Sequence, residues 1–318
     1  MTTRTWHKAM AALIAAALAL SLAACGSSSK SSTGSSTSAS GSSSQPGKGK
    51  PAVTLGDKNF TEQYILGELY AQALRAKGYT VKLKSNIGTS EITDKALTSG
   101  KIDMYPEYTG TILSDLAHQT KRPSDPDAAY QAAKTWEEQR GYTLLDKSPF
   151  ADSDALAVKP AFAKKFGLKE VGDLKKAGRF SVGAPPEFKT RYTGIVGMKE
   201  AYGLNDVDFK PLSIGLQYKA LDSGKVDSAD VFTTDGQLQK GSYVLLKDPK
   251  FIFGFQNVAP VVSKKVLASQ GSGFTDTLNT VTSKLSLEAI QKMNAAVDID
   301  KQKPADVAKQ FLQANGLV

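Results

Sequence analysis

Residues 95–103 read KALTSGKID and residues 219–227 read KALDSGKVD, so seven of the nine positions are identical. In both copies a helix-like run ends at Gly, and a short turn leads into a strand that carries an acid. An aromatic residue follows five positions after each acid, Tyr108 in the first copy and Phe232 in the second. The repeat predicts two α/β units of similar construction.

The rest of the chain after residue 50 alternates strand patterns with amphipathic helix patterns, which is typical of an α/β fold. Asn59 is placed to cap the first helix, and Pro304 and Gly316 bound the last one. Because ligands bind beside the carboxyl ends of strands in open α/β sheets, we expect the two repeated aromatic residues to be opposing walls of a cleft. The alternative is that a common helix–Gly–strand pattern occurs twice in the chain without a functional reason.

The start of the chain is predicted to lie outside the fold. A short basic head precedes an uncharged run rich in Ala and Leu, which is the pattern of a signal peptide over residues 1–24. The run ends in LAACG at 22–26, which resembles the lipobox of bacterial lipoproteins, and Cys25 is the only cysteine in the chain. We therefore predict lipidation at Cys25. The Ser- and Gly-rich residues 25–50 are expected to be a flexible tether on the outer face of the cell membrane.

Composition excludes several classes of function. The chain has 40 Lys and Arg against 31 Asp and Glu, but the body has no basic stripe that would suit nucleic acid. His118 is the only histidine after the leader, and no nucleophile elbow, phosphate-binding loop or zinc-ligand spacing occurs. A pair of carboxylates acting on a sugar is the enzyme arrangement left open. We interpret the body as a binding protein without a metal or cofactor.

Several side chains near predicted strand ends could line a binding cleft. Tyr108, and Tyr105 beside it, could hold an ammonium group by cation–π attraction. Asp152 and Asp154 could add negative charge, and Arg191 could grip a ligand carboxylate with two hydrogen bonds. The alternative for each is structural, with Tyr105 in the core, the two acids at a turn and the arginine on the surface.

Four motifs of the body resemble those of the glycine betaine/carnitine/choline-binding proteins of osmoprotectant ABC importers. They are GDKNFTEQYILG at 56–67, IDMYPEYTGT at 102–111, IGLQYKAL at 214–221 and TDG at 234–236. The resemblance runs from about residue 53 to the C-terminus. It implies the type II periplasmic-binding-protein fold, in which two α/β lobes close on a ligand. Lobe 1 would comprise residues 51–150 and 258–318, and lobe 2 would comprise residues 151–257.

The resemblance also implies a set of site residues. Proteins of this family hold a quaternary ammonium in a box of tyrosines, with polar groups at the ligand's carboxylate. Tyr108 matches a box tyrosine, and Lys58, Thr111 and Arg191 match polar positions. In this interpretation Lys58 and Arg191 are a clamp for a carboxylate, and Asp152 lies on the anionic side of the site.

The chain departs from the family pattern at three places. Asp154 stands where the family often has a tyrosine, and Phe232 keeps the ring but lacks the hydroxyl. Gln256 and Asn257 stand where tyrosines are usual. We therefore place Asp154, Phe232 and Gln256 in the predicted site, with altered chemistry.

The sequence thus predicts a monomeric receptor that captures a small quaternary amine or zwitterion and delivers it to an ABC permease. Asp154 can also accept a hydrogen bond from a primary or secondary amine, which a fully methylated ammonium cannot donate. A different amine or an amino-acid-like solute such as ergothioneine is therefore an alternative ligand. A ligand-sensing module that feeds no permease is the alternative class of function.

Overall fold

The computed structural model describes residues 45–119 and 122–318, which build two five-stranded sheets. The first sheet has the order β2-β1-β3-β10-β4, with β1 Val53–Gly56, β2 Val81–Lys84, β3 Met104–Tyr108, β4 Tyr142–Leu144 and β10 Val258–Ser263. The second has the order β7-β6-β8-β5-β9, with β5 Asp154–Val158, β6 Phe180–Ala184, β7 Val207–Pro211, β8 Ser228–Phe232 and β9 Val244–Leu245. The predicted two-lobed α/β fold is confirmed.

Helices pack on the sheets and bury the apolar residues in separate cores for each sheet. The α-helices are α1 Thr61–Ala76, α2 Ser90–Thr98, α3 Thr109–Thr111, α4 Pro126–Gln139, α5 Pro160–Phe166, α6 Gly197–Tyr202, α7 Gln217–Asp222, α8 Lys264–Gln270, α9 Ser272–Ser283, α10 Leu287–Asp298 and α11 Pro304–Ala314. Turns of 3-10 helix span Val171–Ala177, Pro186–Lys189 and Gly236–Lys240, and π-type turns span Ile112–Leu116 and Tyr192–Val196. Phe60 occupies the N-cap position of α1, so the prediction of Asn59 as the cap was wrong by one residue.

The two sheets share one topology. In each, three strands run parallel, and the fourth is antiparallel to both its neighbours. The repeated segments occupy equivalent places, since α2 precedes β3 in the first sheet and α7 precedes β8 in the second. The internal repeat is therefore a structural repeat.

The acid in each copy of the repeat has a structural role. Asp103 accepts a hydrogen bond from the backbone N–H of Thr54 in β1 at 2.7 Å. Asp227 accepts one from the backbone N–H of Ser181 in β6 at 2.8 Å. Each acid lies in the turn before a strand, and its hydrogen bond attaches that turn to the second residue of the neighbouring parallel strand.

The chain passes between the sheets along two adjacent segments. Ala151 and Asn257 pair as an isolated antiparallel bridge, and the backbone N–H of Asp152 donates to the carbonyl of Gln256 at 3.0 Å. Side chains on these segments therefore lie between the two sheets. Thr109 and Thr233 occupy equivalent places beside them: the backbone N–H of Thr109 donates to the carbonyl of Asn257, and that of Thr233 donates to the carbonyl of Ser153, each at 3.0 Å.

The end of the predicted tether belongs to the folded body. Residues 45–50 form a turn, and the backbone N–H of Gly47 donates to the carbonyl of Lys77 at 3.0 Å. A Cβ on Gly47 would lie 2.3 Å from the backbone nitrogen of Tyr79, so only glycine fits this close approach. The predicted signal peptide, Cys25 and most of the tether lie outside the described residues. Within residues 45–119 and 122–318, no helix has the length and apolar character to cross a membrane.

Candidate functional site

A cavity lies between the two sheets, at the edge where β1, β3, β6 and β8 end. All eight side chains predicted from the sequence line it: Lys58, Tyr108, Thr111, Asp152, Asp154, Arg191, Phe232 and Gln256. Tyr105 does not, because it is fully buried in the core of the first sheet. The topology explains this convergence, since equivalent strand ends of both sheets point to one place.

The aromatic wall differs from the predicted pair of facing rings. Phe60, from the loop between β1 and α1, stacks on Tyr108 at 6.2 Å between centroids and on Phe232 at 5.7 Å. Phe60 is therefore the shared partner of the two rings. Tyr108 is held in place by its hydroxyl, which donates to Glu62 of α1 at 2.9 Å.

The ammonium group of Lys58 is already bound by the protein. It is buried, forms an ion pair with Glu107 and donates to Ser90 Oγ at 3.0 Å. It also lies 4.3 Å from the centroid of the Tyr108 ring, where a ligand cation was expected. Burial lowers the pKa of Lys58, and Glu107 opposes this change. The structure thus gives Lys58 an internal carboxylate partner, and its role in a ligand clamp stays a prediction.

Arg191 is also paired with side chains of the protein itself. It donates to both carboxylate oxygens of Glu91, with its shortest contacts at 2.9 Å, and its Nε lies 3.2 Å from Asp115. Burial acts to lower the pKa of Arg191, but Asp115 and Glu91 outweigh it and raise the pKa. Because both acids belong to the side of the first sheet, Arg191 joins the two lobes across the cleft.

Besides Glu187, three carboxyl groups line the cavity, those of Asp152, Asp154 and Asp230. Asp152 is buried and accepts from the hydroxyl of Thr234 at 2.6 Å, and burial raises its pKa well above the ordinary value. Burial raises the pKa of Asp154 to about 7, although Arg191 acts in the opposite direction. Asp230, the third, is 1% exposed, and burial followed by its neighbour Asp154 raises its pKa well above the ordinary value.

The polar groups of Thr111 and Gln256 bind each other. Gln256 accepts from the backbone N–H of Thr111 at 3.0 Å and donates to the carbonyl of Phe253 at 2.9 Å. Asn257 donates to the carbonyls of Ser148 and Phe150 at 3.0 and 2.9 Å and stabilises the crossing segments. The amides that replace tyrosines thus have partners inside the protein.

The cavity lining includes residues that the sequence interpretation did not predict, and Phe60 and Asp230 are the two that matter most for its chemistry. Phe60 lies in the 56–67 motif, whose similarity to the family was noted, but its ring was not assigned a role. Asp230 lies two residues before Phe232 on the same strand, and side chains two apart in a strand point to the same face. That spacing was the signal that could have identified it.

Two α/β lobes with a lined cavity between them define a solute-binding protein of the two-lobed class. Residues 51–314 match the family described as the substrate binding domain of the ABC-type glycine betaine transport system. The chain is 34% identical over 276 residues to a glycine-betaine-binding protein of Pseudomonas aeruginosa, covering 83% of this chain and 88% of that protein. The chain belongs to this family of transport substrate-binding proteins.

Two further relatives bear on the site. An ergothioneine transport permease/ergothioneine binding protein of Helicobacter pylori is 30% identical over 271 residues, which cover 84% of this chain and 48% of that protein. The crystal structure of a glycine betaine/carnitine/choline ABC transporter protein matches with a TM-score of 0.68 and 28% identity, covering 83% of this chain and 99% of that one. The family thus includes proteins named for several different small amines.

Proposed function

We propose that this protein captures a small quaternary amine outside the cytoplasm and delivers it to an ABC permease. The observation that carries the proposal is the arrangement of Phe60 and Phe232 next to Asp154 and Asp230 in one cavity between two lobes. An aromatic ring attracts a cation through its electron-rich face, and the carboxyls add negative charge. The glycine betaine and choline names of the relatives support the same class of ligand.

The same proposal includes lipid anchoring at Cys25 after removal of residues 1–24. Its support is the LAACG sequence at 22–26 and the Ser- and Gly-rich segment that follows. In this arrangement the body, including the turn at 45–50, is held near the membrane as a monomer. The tether would let the body reach a permease in the same membrane.

Phe232 provides the most direct test, because it is paired across the sheet with Asp154. A desolvated cation–π contact contributes about 0.5–2 kcal/mol, so Phe232→Ala should weaken binding of a quaternary amine about two- to thirtyfold. Isothermal titration calorimetry with choline and glycine betaine measures this. Phe232→Tyr should bind like the parent, because it keeps the ring.

Phe162→Ala is the matched control, since Phe162 is a partly buried ring of the same lobe outside the cavity. Equal affinity in Phe232→Ala and the parent would contradict the role of this ring. Failure of the parent to bind any quaternary amine would contradict the proposed ligand class.

A further inference from the structure

The cavity has more acids than bases available to a ligand. Within residues 45–119 and 122–318, Asp152, Asp154 and Asp230 form no ion pair with a basic side chain. The two basic side chains of the cavity, Lys58 and Arg191, are each bound to carboxylates that come from outside it. Among the residues that the structure describes, the cavity therefore presents acidic groups without a basic partner and no unpaired cation.

Asp154 and Asp230 lie on neighbouring antiparallel strands. Asp154 is opposite Phe232 and Asp230 is opposite Leu156, so the two acids are a diagonal pair on one face. Burial raises the pKa of both carboxyl groups, and Asp154 raises the pKa of Asp230 further, so the pair holds a proton in the absence of a cation. Oδ1 of Asp230 is nevertheless buried without any donor, so one acceptor of the pair is left unsatisfied beside the cavity.

We propose that the Asp154–Asp230 pair selects the ligand by charge, and that the ligand is a small monocation with a hydroxyl or N–H donor and no carboxylate. This inference rests on the proposed function and narrows it. The positive charge of the ligand replaces the proton on the acid pair. The ligand's hydroxyl or N–H donates a hydrogen bond to Oδ1 of Asp230. A ligand carboxylate has no comparable partner, because Lys58 and Arg191 are neutralised and the nearby acids repel it.

A metal ion is a less suitable occupant. Among the described residues, no three His, Cys, Asp or Glu side chains are arranged to hold one. The rings of Phe60 and Phe232 beside the acids fit an organic cation, which offers apolar surface as well as charge.

The pair also links binding to pH. The charged and titratable groups that face it are Arg191, Asp115, Asp152 and Asp235. Burial raises the pKa of Asp154 to about 7 in the absence of a cation. A bound cation favours the ionised form, so binding releases a proton to solvent below about pH 7. Affinity for a monocation should therefore increase as the pH rises from 5.5 to 7.5.

Choline and glycine betaine test the inference, because they share a trimethylammonium head and differ in bearing a hydroxyl or a carboxylate. Calorimetry on the full protein should show choline binding at least about tenfold more tightly than glycine betaine. Tetramethylammonium, which has no donor, should bind more weakly than choline. Titrations of choline at pH 6.5 in phosphate and in Tris should give different enthalpies, since the released proton is taken up by the buffer.

Asp230→Asn is the matched variant, because it keeps the shape and removes the charge. It should weaken the binding of choline at least about tenfold without weakening the binding of glycine betaine. Asp154→Asn is the second variant if Asp230→Asn does not fold, and Asp300→Asn removes a charge from the exposed surface as a control. Tighter binding of glycine betaine, or an equal loss for both ligands in the variants, would overturn this inference while leaving the proposed function intact. If no quaternary amine binds at all, both are overturned.

Discussion

The Lys58–Glu107 pair shows how the first sheet supports the site at the level of single residues. Both side chains are almost completely buried, and Glu107 also accepts from the backbone N–H of Tyr108 at 2.8 Å. Glu107 therefore fixes the position of a basic side chain and of the backbone that carries an aromatic one. A buried ion pair contributes little net stability, but loss of one partner leaves an uncompensated charge.

We expect Glu107→Gln to lower the free energy of unfolding by about 3–5 kcal/mol, because Lys58 would stay buried without its counter-ion. Urea unfolding measures the change. The double variant Lys58→Met/Glu107→Gln should recover most of the loss, since it removes the unpaired charge. If the double variant lost as much free energy of unfolding as the two single variants together, the two side chains would not depend on each other.

At the scale of elements, the repeat at 95–103 and 219–227 was sufficient to predict two similar units and the edge at which their strands meet. The eight lining residues followed from that edge and from the resemblance to a family. The partners of Lys58 and Arg191 could not be predicted, because Glu107 and Glu91 approach them only through tertiary packing. Sequence spacing places side chains on an edge, but it does not show which charges neutralise each other.

The acids of the repeat, Asp103 and Asp227, should contribute similarly to the stability of the two sheets. Asp103→Ala removes the acceptor for the N–H of Thr54, and Asp227→Ala removes the one for Ser181. Each change should cost about 1–3 kcal/mol, because it leaves a partly buried donor unsatisfied. Urea unfolding of the two alanine variants measures the cost. The asparagine variants keep an acceptor and should lose less, and an alanine variant as stable as its asparagine counterpart would contradict this role.

At the scale of the whole molecule, buried acids dominate the response to pH. Burial raises the pKa of Asp57 to about 6, of Asp154 and Asp235 to about 7, and of Glu137 to about 8. Between about pH 4 and these values, the folded protein binds more protons than the unfolded chain. Its stability therefore falls as the pH rises through that range.

We expect the free energy of unfolding of the ligand-free protein to be higher at pH 5 than at pH 8. Each group contributes up to about 1.4 kcal/mol per pH unit while it is protonated only in the folded state. Urea unfolding across this range measures the slope. Glu137→Gln removes one such group and should make the slope shallower, whereas stability that increases from pH 5 to pH 8 would contradict the assignment.

The place of β10 has a consequence for the order in which the chain acquires structure. β4 bonds only to β10 in the first sheet, and the whole second sheet lies between them in the chain. The second sheet needs only residues up to Leu245, so it can be completed as the chain emerges. Until Val258–Ser263 arrives, β3 and β4 have open edges on which foreign strands could pair. The half of the protein that is made first is thus finished last.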